Sequence, residues 1–256
     1  MNSPLQLWDT HCHVDAFADP LRILHEAADA KVGVVAVTED PGHYRLLSAR
    51  LGTRRDVHVA LGFHPLRVTS GSIREIDRFL RQLPHATWIG EIGLDFSRFG
   101  RATREHQLRV FDALLAEAQV RTRPVTVHSR GAHNEVVDRL VDAGANRVVL
   151  HWYTGSITAA EKAIDSGFYF SINPAMLTSQ RGEAVLSRVP RNRVLLESDG
   201  PYATAHGRPV EPADLTQALG ALARRWGCES SDAKFIVGSN YDRLLGQVPN
   251  DSEGQR

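Results

Sequence analysis

Cysteine, lysine and long apolar runs are scarce in this sequence. The two cysteines, Cys12 and Cys228, lie far apart and form no CxxC pair, which argues against a zinc ribbon or a disulfide scaffold and fits a cytoplasmic protein. No stretch approaches the roughly 18 consecutive apolar residues of a membrane helix. The N-terminus lacks the basic and apolar regions of a signal peptide. We therefore expect a cytoplasmic protein without a membrane segment.

The sequence also lacks an excess of charge of either sign. Lys+Arg and Asp+Glu both number 30, so the formal net charge is zero. A protein that grips long duplex nucleic acid needs a broad basic field, which is missing here. Any polyanionic substrate would have to be held locally. The basic residues are almost all arginine, which suits bidentate phosphate contacts, although a coding bias explains that preference more simply.

Eight short runs rich in Val, Ile, Leu and aromatic residues alternate with longer amphipathic stretches, as in parallel strands joined by helices. The predicted strands are 5–11, 32–38, 57–64, 86–93, 124–128, 147–151, 168–172 and 193–198. No linker divides the chain, and a (β/α)8 barrel takes roughly 250 residues. We therefore predict a single (β/α)8 TIM barrel over residues 1–248 and a disordered tail at 249–256. A doubly wound open sheet is the alternative.

Helical periodicity supports the intervening elements. The segment 103–120 is predicted as one helix whose apolar stripe consists of Leu108, Phe111, Leu114, Leu115 and Ala118. Three glycines precede predicted strands at positions where helix C-caps are expected, namely Gly33, Gly144 and Gly167.

Histidine and carboxylate residues follow six of the eight predicted strands. Active-site groups of such a barrel lie at the carboxyl ends of its strands. A single histidine there is more often structural than a ligand, but a metal centre assembled from several strands requires such residues at one rim. The residues, in strand order, are His11 and His13, His64, Glu91, His128 with Arg130, His151, and Asp199.

Side chains alternate along a strand, so His11 and His13 are predicted to share one face while Cys12 points away. The remaining histidines are interpreted as surface or loop residues: His25, His43, His58, His85, His106, His133 and His206. Gly90, Gly93 and Gly155 would permit close approach of the backbone near a ligand, or serve as ordinary turn residues.

Six motifs resemble, in order and spacing, those of the TatD family of metal-dependent deoxyribonucleases within the amidohydrolase-like barrels. They are DTHCHVD (9–15), GFHP (62–65), GEIGLD (90–95), VHSR (127–130), LHWYTGS (150–156) and ESDGP (197–201). The closing segment GSNYDRLLG (238–246) is similar to that family's Asn-x-x-Arg-Leu element. The resemblance spans nearly the whole chain, from Asp9 to Leu245.

The resemblance implies two divalent metal ions. His11, His13 and Asp199 would hold the first ion, Glu91 would bridge to the second, and the second site would be completed by His128 and His151. Mixed imidazole and carboxylate ligands suit Zn, Mn or Fe, and open positions for water also permit Mg.

The same resemblance implies roles around the ions. Asp199 would accept the proton of the attacking water, and His64 would lie near the scissile phosphate. Arg130 would contact a phosphate oxygen, or equally form a structural pair with Glu91 or Asp199. Trp152 and Tyr153 could stack on a base, although core packing is favoured for Tyr153.

The sequence departs from the family pattern in two loops. Gly131 stands where the family often has aspartate, and HWYTG (151–155) stands where it often has HCFSG. The stretches FSINPAML (170–177) and 197–215 resemble a TatD-like subgroup that serves as the nuclease of Qat anti-phage defence systems. That resemblance implies an antiviral role beside partner proteins of the same operon.

Three functions remain open from the sequence. The leading hypothesis is a metal-dependent deoxyribonuclease that acts on single strands or ends of DNA through a water shared by two cations. The second is an amidohydrolase-type enzyme that cleaves a small ester, lactone or cyclic amide. No lysine ends a predicted strand, so none can supply a carbamylated bridge between two metal ions. Glu91 would fill that bridging role instead, which favours the nuclease over the amidohydrolase-type enzyme. The third is a scaffold component of a defence complex.

Overall fold

The computed structural model describes residues 7–205 and 207–246. Eight parallel strands form its centre: β1 (Leu7–Cys12), β2 (Val32–Val37), β3 (Val57–Leu61), β4 (Trp88–Gly93), β5 (Val125–His128), β6 (Val148–His151), β7 (Tyr169–Ile172) and β8 (Val194–Leu196). Each strand pairs with its neighbour in chain order, and β1 also pairs with β8, so the sheet closes. This closure confirms the predicted (β/α)8 TIM barrel and excludes the open sheet. The predicted tail at 249–256 lies outside the described residues.

Buried apolar residues form these strands. All six residues of β2 and all six of β4 are buried, as expected for parallel strands covered by helices outside and filled by side chains inside. All eight predicted strands overlap observed ones. β3 ends at Leu61 rather than at residue 64, because the chain then turns over the rim and His64 Nδ1 accepts a hydrogen bond from Leu66 N.

Helices surround the barrel. They are α1 (Pro20–Asp29), α2 (Pro41–Leu51), α3 (Ile73–Gln82), α4 (Arg104–Leu115), α5 (Ala118–Thr122), α6 (His133–Asp142), α7 (Ile157–Asp165), α8 (Gln180–Leu186), α9 (Leu215–Trp226) and α10 (Ser230–Leu244). A two-stranded antiparallel ribbon, β9 (Thr204–Ala205) with β10 (Arg208–Pro209), follows β8. None of the helices within 7–205 and 207–246 combines the length and hydropathy needed to cross a bilayer.

The predicted helix over 103–120 was wrong as a single element. Glu117 is extended, with φ −77° and ψ 121°, so the helix divides into α4 and α5. This change of direction moves Ala118 off the apolar stripe and leaves it exposed, whereas Val120 is buried.

One predicted glycine cap was also wrong. Gly33 lies inside β2, where the Trp8 ring packs so closely that a Cβ would lie 2.7 Å from it. The cap of α1 is instead Ala30, and Lys31 takes the positive φ of 59°. Gly144 and Gly167 do have positive φ after their helices, as predicted.

Two histidines interpreted as surface or loop residues lie elsewhere. His58 is half-buried within β3, and its ring stacks on Trp8 with centroids 4.8 Å apart. His133 begins α6 and contacts the ring of Tyr153 edge-on at 5.0 Å. Of the other five, His25 and His85 are exposed, His43 and His106 are half-buried on helices, and His206 lies outside the described residues.

Candidate metal centre

His11 and His13 meet at the carboxyl end of β1. Both side chains are buried, and their Nε2 atoms lie 3.1 Å apart. Cys12 points away into the apolar core, where its Sγ lies 3.7 Å from the carbonyl oxygen of Gly200. The alternation predicted for this strand is therefore present.

Glu91, in β4, lies at the middle of the cluster and is buried. Its Oε1 is 2.6 Å from His128 Nδ1 and 3.1 Å from His151 Nε2. Its Oε2 faces three other imidazoles at 3.4 to 3.6 Å, those of His13, His11 and His64. Burial alone would raise the pKa of Glu91, but the positive charges of the surrounding histidines hold it well below its ordinary value. One carboxylate thus joins two separate groups of imidazoles.

Close backbone packing places Glu91 in this position. A Cβ on Gly62 would lie 1.6 Å from the Thr38 carbonyl oxygen and 2.7 Å from the Glu91 nitrogen, so only glycine fits on the neighbouring strand. Gly93 has φ of 135°, and a Cβ there would lie 2.1 Å from the His128 carbonyl oxygen. The close approach predicted for Gly93 is therefore to another strand and not to a ligand.

Asp199 reaches the same cluster from the segment after β8. Its backbone nitrogen donates to the His11 carbonyl oxygen at 2.9 Å, which ties β8 to β1. Its Oδ1 lies 3.5 Å from His11 Nε2 and 3.7 Å from His13 Nε2. Burial raises the pKa of Asp199 to about 7, against the lowering effect of the nearby histidines.

Two carboxylates that the sequence reasoning did not select orient the imidazoles from behind. Asp95 Oδ2 lies 3.0 Å from His128 Nε2, the ring nitrogen opposite the one that faces Glu91. Glu197 Oε1 lies 3.4 Å from His151 Nδ1 and accepts a hydrogen bond from the Trp152 nitrogen. Carboxylates commonly support metal-bound histidines in this way. Their place in GEIGLD and ESDGP, near Glu91 and Asp199, was the available signal.

The donor set fits divalent cations. Within 7–205 and 207–246, three groups have ligand atoms within 4.8 Å of one another: His11, His13 and Glu91; His11, His151 and Glu197; and His64, Glu91 and His128. The Nε2 atoms of His11, His13 and His151 all face oxygens of Glu91 or Asp199 at 3.1 to 3.7 Å. A single proton between the facing Nε2 atoms of His11 and His13 cannot also satisfy the nearby carboxylates, whereas a cation can. Imidazole nitrogen with carboxylate oxygen is a donor set that Zn, Mn and Fe use.

A cavity of about 790 Å³ opens over this cluster. His64, Arg130 and Trp152, the residues predicted to contact substrate, all line it. Arg130 is exposed and forms no ion pair with Glu91 or Asp199, so the structural pair considered for it is wrong. His64 Nε2 is as near to Glu91 Oε2 as His11 Nε2 is, at 3.6 Å, so distance alone also permits His64 as a ligand.

Tyr153 does not reach the cavity. Its side chain is fully buried, and its hydroxyl donates to the Ser156 carbonyl oxygen at 2.9 Å, so it packs in the core. A Cβ on Gly155 would lie 2.4 Å from His133 Cγ, and one on Gly90 would lie 3.0 Å from Thr126. As with Gly93, these glycines make room for protein atoms.

The sequence and the barrel are similar to those of known proteins. Residues 8–246 match the family described as TatD related DNase. The chain belongs to the TatD family. Members of the TatD family to which it is similar include the putative deoxyribonuclease TATDN3 of Mus musculus, 28% identical over 94% of this chain and 88% of that protein. The deoxyribonuclease TATDN3 of Homo sapiens is 30% identical over 76% of this chain and 78% of the human protein.

A bacterial relative agrees with this assignment, and a solved structure shares the fold. The uncharacterized metal-dependent hydrolase TatD of Mycobacterium tuberculosis is 29% identical over 93% of this chain and 97% of the mycobacterial protein. The crystal structure of YjjV, a TatD homologue from Escherichia coli, shares the fold with a TM-score of 0.83 and 24% identity, covering 96% of this chain and 99% of that one. The protein is therefore a TatD-family metal-dependent hydrolase.

Proposed function

We propose that this TatD-family hydrolase cleaves phosphodiester bonds in DNA and acts on single strands or strand ends. The observation that carries the proposal is the position of Glu91, whose two carboxylate oxygens face separate groups of imidazoles at 2.6 to 3.6 Å. A carboxylate shared in this way suits a pair of divalent cations, which is typical of nucleases and phosphatases. The zero net charge and the compact cavity favour a single strand over long duplex DNA.

The cluster divides into two sets of ligands around Glu91. His11, His13 and Asp199 would hold one cation, and His128 and His151 would hold the other. Mg, Mn or Zn would suit these sites. When bound, such ions polarise a phosphodiester and lower the pKa of a shared water.

Residues around the ligands would handle the proton and the phosphate. Burial raises the pKa of Asp199 to about 7, so its carboxylate can take up a proton near neutral pH. His64 Nε2 and the Arg130 guanidinium would orient the scissile phosphate from the cavity side. Trp152, half-buried on the cavity wall, would offer its indole to a base.

Two conservative variants test the centre. Purified protein with Mg or Mn should degrade single-stranded DNA, and Glu91→Gln and Asp199→Asn should each lose that activity. Glu161→Gln, on an exposed side chain of α7, is the matched control and should keep it. Full activity in Glu91→Gln or Asp199→Asn would show that the assigned centre is wrong.

Parallel assays of the same proteins on lactones and cyclic amides separate the other hypotheses. Hydrolysis of a lactone or cyclic amide without hydrolysis of DNA would favour the amidohydrolase-type alternative. Arginine, rather than lysine, on the cavity wall favours the phosphate substrate. A scaffold role would leave the biological function intact in a Glu91→Gln protein that still folds.

We further propose, from the resemblance of 170–177 and 197–215, that the protein is the nuclease of a Qat-type anti-phage system and works beside the other proteins of that operon. Phage plating on cells that carry the operon with Glu91→Gln tests this role. Lost protection supports it, and full protection contradicts it. The cytoplasmic location stays a prediction from the sequence.

A further inference from the structure

The three arginines that line the cavity differ in their partners. Arg67 forms an ion pair with Glu39, which also accepts a hydrogen bond from the Tyr202 hydroxyl at 3.0 Å. That side of the cavity is therefore electrically balanced. Arg130 and Arg181 are exposed, and no carboxylate lies within ion-pair distance of either in the parts of the chain that the structure describes, 7–205 and 207–246. The cavity lining therefore includes two arginines, Arg130 and Arg181, without an ion-pair partner among the described residues.

His133 lines the cavity close to Arg181, the second residue of α8. Its ring is fixed by the edge contact with Tyr153 and by Gly155, where any Cβ would collide with it. Burial, together with the positive charges of His128 and Arg181, lowers the pKa of His133 to about 4. The imidazole therefore stands within electrostatic reach of both the metal centre and Arg181, as a neutral group that can donate or accept a hydrogen bond.

The cavity has room for more than the scissile phosphate. Its volume of about 790 Å³ falls within the range of sites that enclose whole small-molecule ligands. Arg130 follows His128 by two residues and is close enough in sequence to serve the reacting group. Arg181 comes from a different element, the start of α8 after β7, and has no role at the centre itself. An arginine without a carboxylate partner on a cavity wall is suited to a further phosphate.

We propose that Arg181, with His133 beside it, binds a second phosphate of the substrate, next along the strand from the phosphodiester that is cleaved. This inference rests on the proposed phosphodiesterase function and specifies its substrate as an oligonucleotide with at least one phosphate beyond the scissile one. Because Arg181 and His133 form a single subsite for one phosphate, the extra phosphate is recognised on one side of the scissile bond, either 5′ or 3′. The subsite thereby sets the direction in which the strand lies.

Three small substrates test the subsite. They are a thymidine dinucleotide, the same dinucleotide with a 5′-phosphate, and the same dinucleotide with a 3′-phosphate, each assayed with the Mn-loaded protein. The wild type should cleave one phosphorylated form with kcat/KM about tenfold above the plain dinucleotide, which corresponds to one charge-assisted hydrogen bond at an exposed site. Arg181→Ala should bring that ratio close to unity, and Arg181→Lys should keep part of it. Arg188→Ala, which removes an exposed arginine paired with Glu161, is the control that keeps the ratio.

Each outcome bears on a different claim. Equal kcat/KM for all three substrates in the wild type, or an unchanged ratio in Arg181→Ala, would overturn the subsite and leave the phosphodiesterase function standing. Cleavage of single-stranded DNA without cleavage of any of the three would overturn the subsite alone, whereas failure on both single-stranded DNA and the three dinucleotides would overturn the proposed function as well. Thermal unfolding of the Arg181 variants checks that their fold is intact, as expected for an exposed side chain without an ion-pair partner in the described residues.

Discussion

Replacing Asp95 with asparagine tests how carboxylates behind the centre orient its imidazoles. Asp95 uses both oxygens: Oδ1 accepts from the Ser97 nitrogen at 2.8 Å, and Oδ2 lies 3.0 Å from His128 Nε2. Asparagine has only one carbonyl oxygen, so its amide NH₂ must face one of these two groups. If it faces His128, the imidazole moves its proton from Nε2 to Nδ1, the nitrogen that lies 2.6 Å from Glu91.

That change of tautomer would block the lone pair through which His128 holds a cation. Loss of such a supporting carboxylate lowers metal affinity by about tenfold to a hundredfold, which corresponds to roughly 1.4 to 2.7 kcal/mol. Calorimetric titration of the metal-free protein with Mn should show one of two binding events weakened in Asp95→Asn. Asp112→Asn, on the exposed side of α4, should bind as the wild type does. Wild-type affinity in Asp95→Asn would refute this role for Asp95.

Asp95 also gives the fold a pH dependence of known sign. Burial alone would raise its pKa, but the hydrogen bonds from His128 and Ser97 hold the pKa at about 2, below the ordinary value of 3.8. A carboxylate with a lowered pKa stabilises the fold above its ordinary pKa, and this contribution is lost as the pH falls from about 4 to about 2. The shift corresponds to about 2 kcal/mol in the free energy of unfolding. Urea unfolding of the metal-free protein across this range should show a larger loss in the wild type than in Asp95→Asn, because Glu91, Glu39 and Asp56 also have lowered pKa values and contribute to the loss in both proteins.

Three further substitutions test separate parts of the account. Cys12→Ser should keep its metal, because Cys12 points away from the cluster, and metal loss after purification would show that this face assignment is mistaken. His64→Ala should retain the metal content of the wild type and lose kcat/KM by about a hundredfold if His64 orients the phosphate; loss of an ion would make it a ligand instead. Gly93→Ala should lower the free energy of unfolding by more than about 2 kcal/mol, because its Cβ would meet the His128 carbonyl oxygen at 2.1 Å, and an unchanged melting temperature would contradict that packing.

The barrel could be predicted from the sequence because parallel strands that are buried on both faces consist of nearly continuous apolar residues. The strand ends converge at one rim, so the residues that follow six strands could be grouped before their distances were known. His11, His13 and Glu91 meet for that reason. The break at Glu117 could not be predicted, because the apolar period continues across it and only the turn of the backbone moves Ala118 outward.

The position of a histidine at a strand end does not reveal the partner of its second ring nitrogen, the one that faces away from Glu91. Which group faces His128 Nε2 or His151 Nδ1 depends on side-chain rotamers and on loops that follow other strands. The roles of Asp95 and Glu197 could therefore not be predicted, although both residues belong to the recognised motifs. Arg181 was harder to find, because the segment 173–179 between β7 and α8 contains no histidine or carboxylate to draw attention to this end of α8. His133 was interpreted as a surface or loop residue, because only the fold brings its ring against Tyr153.

Metal analysis combined with a nuclease assay on 3′-blocked and 5′-blocked single strands tests the central claim most directly. We predict two divalent ions per chain and ion-dependent hydrolysis of one blocked strand in preference to the other. Glu91→Gln should lose the bound ions and, with them, the hydrolysis. A single bound ion, or hydrolysis that survives in metal-free Glu91→Gln, would contradict a centre built around the bridging carboxylate of Glu91.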